Sequence, residues 1–226
     1  RHTRYISVTG VQTCALPIYR IGVLTGPNLA REVAAGQPTA SVAAIGDPAR
    51  AEQVQRAFMT ATFRVYTNPD VIGCEIAGAL KNVMALAAGI AHGLGYGDNT
   101  KAALITRGLA ELARLGVALG GDPLTFSGLA GMGDLVATCI SDQSRNRTVG
   151  VALGEGRTLD EVVAEMNMVA EGVKSTRAVL DLARARGVEL PIAEQVGAVL
   201  YEGRRPADIV PTLMLREATS ELRGRS

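Results

Sequence analysis

The sequence predicts a mainly α-helical protein in which a short α/β layer precedes a larger all-helical domain. Three observations carry this. Residues 20–66 alternate short apolar or β-branched runs with helical segments, in the order β-α-β-α-β. From the turn Asn68-Pro69-Asp70 onward the apolar residues recur with helical spacing and no further strand pattern follows. The composition is 47% apolar but only 4% aromatic, without Trp, and is dominated by Ala, Leu, Val and Gly, which favours helices packed closely through small residues.

Taken in order, residues 1–19 (RHTRYISVTGVQTCALPI and Tyr19) show no clean period and do not begin with Met. They read as translated adaptor or vector sequence, expected to lie outside the fold, or else as a native, divergent N-terminal strand and loop. Residues 19–24 form a short apolar strand, and Gly26-Pro27-Asn28 a turn. Residues 29–35 make one or two helical turns, 39–45 a second strand, 49–61 a helix with Pro48 near its start, and 63–66 a third strand. Helices are expected over 72–94, 99–119, 128–140, 146–154, 158–166, 171–186, 192–201 and 206–216. Thr158 and Glu161 make a capping box, Gly187 suits a C′ position, and Pro211 predicts a kink or break in the last helix. The expected domains are therefore a non-native head at 1–19, an α/β segment at 20–69 and a helical domain at 70–226.

Composition excludes several functions. A net charge of +1 and the lack of a Lys/Arg stripe interleaved with aromatics leave no electrostatic footprint for nucleic acid. Cys14, Cys74 and Cys139 are odd in number and lack CxxC spacing, which fits buried thiols in a reducing cytoplasm. The longest apolar run, 83–91, is too short to span a bilayer. Two histidines, His2 and His92, offer neither a metal site nor a Ser-His-Asp triad. The glycine pairs near 93–97, 131–133 and 154–156 do not complete GxGxxG and follow no predicted strand.

Chemistry concentrates in three clusters. Lys81 stands in an apolar helix within Gly78-Ala79-Leu80-Lys81-Asn82-Val83. A lysine is tolerated there when its ammonium is paired or used chemically, or when its stem packs and its head reaches solvent. Asn82 is either a surface residue or a polar partner in the same pocket. Asp134 follows Gly131-Met132-Gly133 at a helix start, as a site carboxylate or an ordinary cap. Ser144-Arg145-Asn146-Arg147 opens another helix and could grip phosphate or simply form a solvated basic cap. Glu171 beside Gly172, and the Gly26-Pro27-Asn28 turn, read either as ligand contacts or as a cap and a β-turn. The three clusters are expected to fold together into an anion-binding pocket.

Six segments in this order, GPNLAREVAAGQPTA, FRVYTNPDVIGCEIAGALKNVMALAAGI, GLGYGDNTKAALITRGLAELARLG, GLAGMGDLVATC, SRNR and VAEGVKST, resemble bacterial-type NAD(P)-dependent glycerol-3-phosphate dehydrogenase from about Arg20 to the last helix. The resemblance implies an all-α domain like the C-terminal domain of 6-phosphogluconate dehydrogenase, preceded by the remnant of a Rossmann domain whose GxGxxG turn would lie ahead of Arg20. It implies a cytoplasmic oxidoreductase that reduces dihydroxyacetone phosphate to sn-glycerol 3-phosphate for phospholipid synthesis, with NAD or NADP as cofactor. It further implies Lys81 as catalytic acid/base, substrate contacts at Gly26, Asn28, Lys81, Asp134, Ser144, Arg145 and Asn146, and cofactor contacts at Ala30, Arg145, Val169 and Glu171. The expected partner is the small-molecule substrate, with a homodimer left open and neither nucleic acid nor a membrane span. Two alternatives stay open: another Rossmann-plus-helical dehydrogenase of the β-hydroxyacid or ketopantoate type, and a non-catalytic helical module for oligomerisation or substrate binding.

Overall fold

A computed structural model describes residues 21–165 and 170–217. The segment expected to be foreign, residues 1–19, and Cys14 within it lie outside the described residues.

Three strands form one small sheet in the order β1 (Val23–Thr25), β2 (Thr39–Ala44), β3 (Phe63–Asn68). β2 and β3 are parallel, with Thr39 opposite Phe63 and Ala44 opposite Asn68. The eleven-residue helix α2 (Pro48–Phe58) supplies the crossover that a parallel pair requires. Asp47 caps α2, accepting from Ala49 N at 3.0 Å, with Pro48 at the first helical position. β1 and β2 run antiparallel, with Val23 opposite Ala44. The intervening helix α1 (Ala30–Ala34) has only five residues, too few to cover a sheet face, so the chain doubles back rather than crossing over.

The helical domain is built around α3 (Val71–Gly93). Asp70 starts it by accepting from Gly73 N at 2.8 Å, and its second carboxylate oxygen accepts from Asp122 N at 2.8 Å, pinning a distant loop to the same point. By length and composition α3 could cross a membrane. Here its apolar residues from Ile76 to Ala91 form the core, packed against by α4 (Asp98–Ala118), α6 (Asp134–Ile140), α7 (Arg145–Gly154), α9 (Glu171–Ala185) and α10 (Pro191–Tyr201). The closest crossing is α3 on α7. A Cβ on Gly150 would lie 2.9 Å from Gly89 Cα, so the two backbones touch where no larger residue fits.

Two expected helices are interrupted. Residues 128–140 are not one helix: α5 (Pro123–Ser127) comes first, Gly128 is extended, a π-helical turn covers Leu129–Gly133, and α6 follows. Gly128, Gly131 and Gly133 give this stretch little intrinsic helicity. The start of α5 carried a legible signal, since Asp122 caps it (Leu124 N at 2.9 Å) and Pro123 is its first residue. The last helix breaks ahead of Pro211 rather than at it. A 3₁₀ turn (Pro206–Asp208) leads into α11 (Ile209–Met214), which puts Pro211 in the first turn, where a missing N–H costs nothing. The capping box opens α8 (Leu159–Glu165) reciprocally: Thr158 N donates to Glu161 Oε2 at 2.8 Å, and Glu161 N to Thr158 Oγ1 at 3.3 Å.

One buried carboxylate went unforeseen. Glu111 of α4 is 3% exposed and accepts from Ile192 N (2.7 Å) and Ala193 N (3.2 Å), capping α10 across the domain. Desolvation pushes its carboxyl up to about 7, against the lowering effect of those N–H bonds and of Arg114.

Candidate active site

A cavity of about 340 Å³ opens where β1 and the turn after it face α3, α6, α7 and the start of α9. α3 gives it Glu75, Gly78, Ala79, Lys81 and Asn82, residues on the flank of the helix that borders the cavity.

Lys81 is paired rather than isolated among apolar neighbours. Its Nζ donates to Asp134 Oδ2 at 2.5 Å, with the lysine side chain 22% and the aspartate 5% exposed. Asp134 owes its place to the π-helical turn, which ends as α6 begins and leaves the carboxylate pointing at α3. Thr138, one turn later, donates to the Asp134 carbonyl at 2.6 Å and lies 3.2 Å from its Oδ1, while Thr25 of β1 reaches Oδ2 at 3.4 Å. The carboxylate is thus held from three directions, and the ammonium is held by it.

The second cluster opens α7. Ser144 caps the helix by accepting from Arg147 N at 3.3 Å. Arg147 turns away to pair with Asp142 at 2.5 Å, but Arg145 is exposed, lines the cavity and forms no ion pair among the described residues. Asn146 is buried and joins three helices: its Nδ2 donates to Asn82 Oδ1 at 3.0 Å and its Oδ1 accepts from Gly172 N at 2.8 Å. This network settles Asn82 as a buried partner of the pocket and sets the mouth of α9, where Glu171 is exposed and lines the cavity.

Of the residues expected at the site, Asn28, Lys81, Asp134, Ser144, Arg145, Asn146 and Glu171 line this one cavity. Gly26 does not form its wall. It is buried behind it with φ of 125°, a conformation glycine adopts freely, and this bends the chain so that Asn28 Nδ2 reaches Ser41 Oγ at 2.8 Å. Ala30 is exposed on α1 and is not part of the wall. Val169 lies outside the described residues. Thr25, Glu75, Thr138 and Ser175 line the cavity without having been expected there. Helical spacing could have found two of them, since Thr138 is four residues after Asp134 and Glu75 three before Gly78 on the same face. Cys74 also lines it, but burial pushes its thiol up to about 12, which leaves it inert. Among the described residues no cluster of metal ligands occurs.

The pocket combines a lysine–aspartate pair, a helix start with an exposed guanidinium, and buried amides. That set can hold an anionic ester at one side and deliver a proton at the other. The family model for the NAD-dependent glycerol-3-phosphate dehydrogenase C-terminus matches residues 70–211, and the model for the N-terminus of the same family matches residues 6–51. Glycerol-3-phosphate dehydrogenase [NAD(P)+] of Streptomyces coelicolor is 60% identical over 204 residues, covering 90% of this chain and 61% of the relative. A second such enzyme, from Salinibacter ruber, is 58% identical over 202 residues, covering 89% and 59%. The crystal structure of glycerol-3-phosphate dehydrogenase from Coxiella burnetii superposes with a TM-score of 0.84 at 44% identity, over 86% of this chain and 60% of that one. The chain thus spans about three-fifths of the length of these relatives. By its match to both family models, the longer of which takes in Lys81, Asp134 and the start of α7, the chain belongs to the NAD-dependent glycerol-3-phosphate dehydrogenase family.

Proposed function

We propose that this chain carries the substrate half of an NAD(P)-dependent glycerol-3-phosphate dehydrogenase, which reduces dihydroxyacetone phosphate to sn-glycerol 3-phosphate and catalyses the reverse. The observation that carries the reading is the Lys81–Asp134 pair sharing one cavity with Arg145 and the start of α7. Residues 20–69 are assigned to the end of the dinucleotide-binding domain and 70–226 to the substrate domain. The family match leaves the β-hydroxyacid alternative without support.

The phosphate sits at the α7 start. There the Arg145 guanidinium and the backbone N–H groups favour an anion, Ser144 shapes the turn, and Asn146 holds α9 against it. Binding energy from that remote group positions the ketone. Asn28, fixed by Ser41 and by the bend at Gly26, closes the opposite wall. Lys81 Nζ gives its proton to the carbonyl oxygen as negative charge develops there. Asp134 keeps Nζ in place, and Thr138 and Thr25 keep Asp134 in place. In the reverse direction Nζ takes the proton back from the secondary alcohol.

The residues present suit a dinucleotide. Arg145 offers a cation without an ion pair among the described residues, and Glu171 an exposed carboxylate able to accept from ribose or amide donors. Ala30 offers its backbone and methyl group, and Val169 completes the assigned set. When bound, NADH or NADPH supplies the hydride for the ketone carbon. A reducing cytoplasm suits Cys74 and Cys139, both buried free thiols.

The test is oxidation of NADH and NADPH dependent on dihydroxyacetone phosphate, with unphosphorylated dihydroxyacetone as control. Turnover of the phosphorylated ketone alone, abolished by Lys81→Met in a folded variant, is the expected outcome. Normal turnover in Lys81→Met, or equal use of both ketones, would overturn the reading.

A further inference from the structure

Among the described residues three carboxylates line the cavity, and two of them are compensated. Asp134 lies 2.5 Å from Lys81 Nζ. Glu171 is exposed in the first turn of α9, where helix N–H groups favour negative charge. Glu75 has neither advantage. It is half-buried in the second turn of α3, and among the described residues no neighbouring charge offsets its burial, which raises its carboxyl above the ordinary range. It lies on one stripe with Gly78, Ala79 and Asn82, all of which line the cavity. Seven residues of helix rise, roughly 10 Å, separate it from Asn82. Asn82 in turn is bonded to Asn146 beside the α7 start. An uncompensated carboxylate therefore stands at one end of the cavity, and the anion-favouring helix start stands at the other. Lys81, which also lines the cavity, follows Glu75 on α3 and immediately precedes Asn82.

We infer that Glu75 is a specificity-determining residue of this cavity: it accepts a hydrogen bond from the hydroxymethyl group of the three-carbon phosphate ester and repels any ligand that carries a carboxylate there. The inference rests on the phosphoester reading of the pocket. The ester enters with its phosphate toward Arg145, its central carbon beside Lys81, and its neutral hydroxyl end toward Glu75. A second anionic group at that end would meet a like charge from which water is partly excluded, and discrimination by such repulsion is selective without adding affinity.

The 226-residue chain and its Glu75→Gln variant are titrated calorimetrically with glycerol 3-phosphate, 3-phosphoglycerate and inorganic phosphate. The unaltered chain is expected to prefer glycerol 3-phosphate over 3-phosphoglycerate by tenfold or more. Glu75→Gln narrows that ratio by about tenfold, chiefly by tightening 3-phosphoglycerate, and leaves inorganic phosphate unchanged. A merely structural role would weaken all three probes together and keep the ratio. An unaltered ratio in a variant that still binds glycerol 3-phosphate overturns the role of Glu75 alone. Failure of the unaltered chain to bind glycerol 3-phosphate overturns the substrate reading, and this inference with it.

Discussion

The stability of this fold should fall as pH rises through the titration of Glu111. The carboxyl is 3% exposed and ties α4 to the first turn of α10 through Ile192 N and Ala193 N. Burial, the largest influence, raises it from 4.5 to about 7. The two N–H bonds and Arg114 pull it down, and Glu194 adds to the rise. In the unfolded chain it titrates at its ordinary value. Between 4.5 and about 7 the folded state therefore binds the proton that the unfolded state has lost. The stabilisation is complete below about pH 4.5 and is lost as pH passes about 7. At about 1.4 kcal/mol per pH unit the difference amounts to about 3 kcal/mol. Glu111→Gln cannot titrate. Its carbonyl keeps one of the two N–H bonds and its amide nitrogen faces the other donor, a loss of about 1 kcal/mol at low pH. Urea unfolding of both proteins across this range should show the wild type more stable at the acid end and the variant overtaking it at the alkaline end. A stability difference that stays constant with pH would refute the reasoning, because it would mean that the folded and unfolded carboxyls titrate alike.

Two further predictions test the packing and the anion site. Gly150→Val introduces a Cβ only 2.9 Å from Gly89 Cα, with two methyl groups beyond it, so α7 must move off α3, with an expected loss of about 3 kcal/mol seen as a lower melting temperature. Arg145→Ala removes an exposed guanidinium, so stability should hold while affinity for glycerol 3-phosphate falls by roughly 1.5–3 kcal/mol in calorimetry, the usual worth of a hydrogen bond to a charged group.

Much of the architecture was legible because its causes are local. Asp47 and Pro48 start α2, Thr158 and Glu161 start α8, and apolar spacing marks α3, α4, α9 and α10 within a residue or two. The misreadings also have local causes. Three glycines let the 128–140 stretch break into a π-helical turn, and a 3₁₀ turn ahead of α11 moves the expected break to before Pro211. At the site, the lysine, the aspartate and the α7 start were visible as motifs. Thr25 and Ser175 were not, since a small hydroxyl breaks the pattern of neither the strand nor the helix that holds it.

The sequence by itself determined most of the helices, where most of them begin, and which chemical groups are available: an amine, carboxylates, a guanidinium and small polar caps. Those properties follow from spacing and capping within a few residues. Only the tertiary structure decided which groups meet. Lys81 finds Asp134 across 53 positions, and Glu111 caps a helix 81 positions away, because the glycine-lined crossing of α3 and α7 and the π-helical turn before α6 set distances that no local pattern encodes. A buried charge needs its partner at hydrogen-bond range, and that range is fixed by how the helices pack.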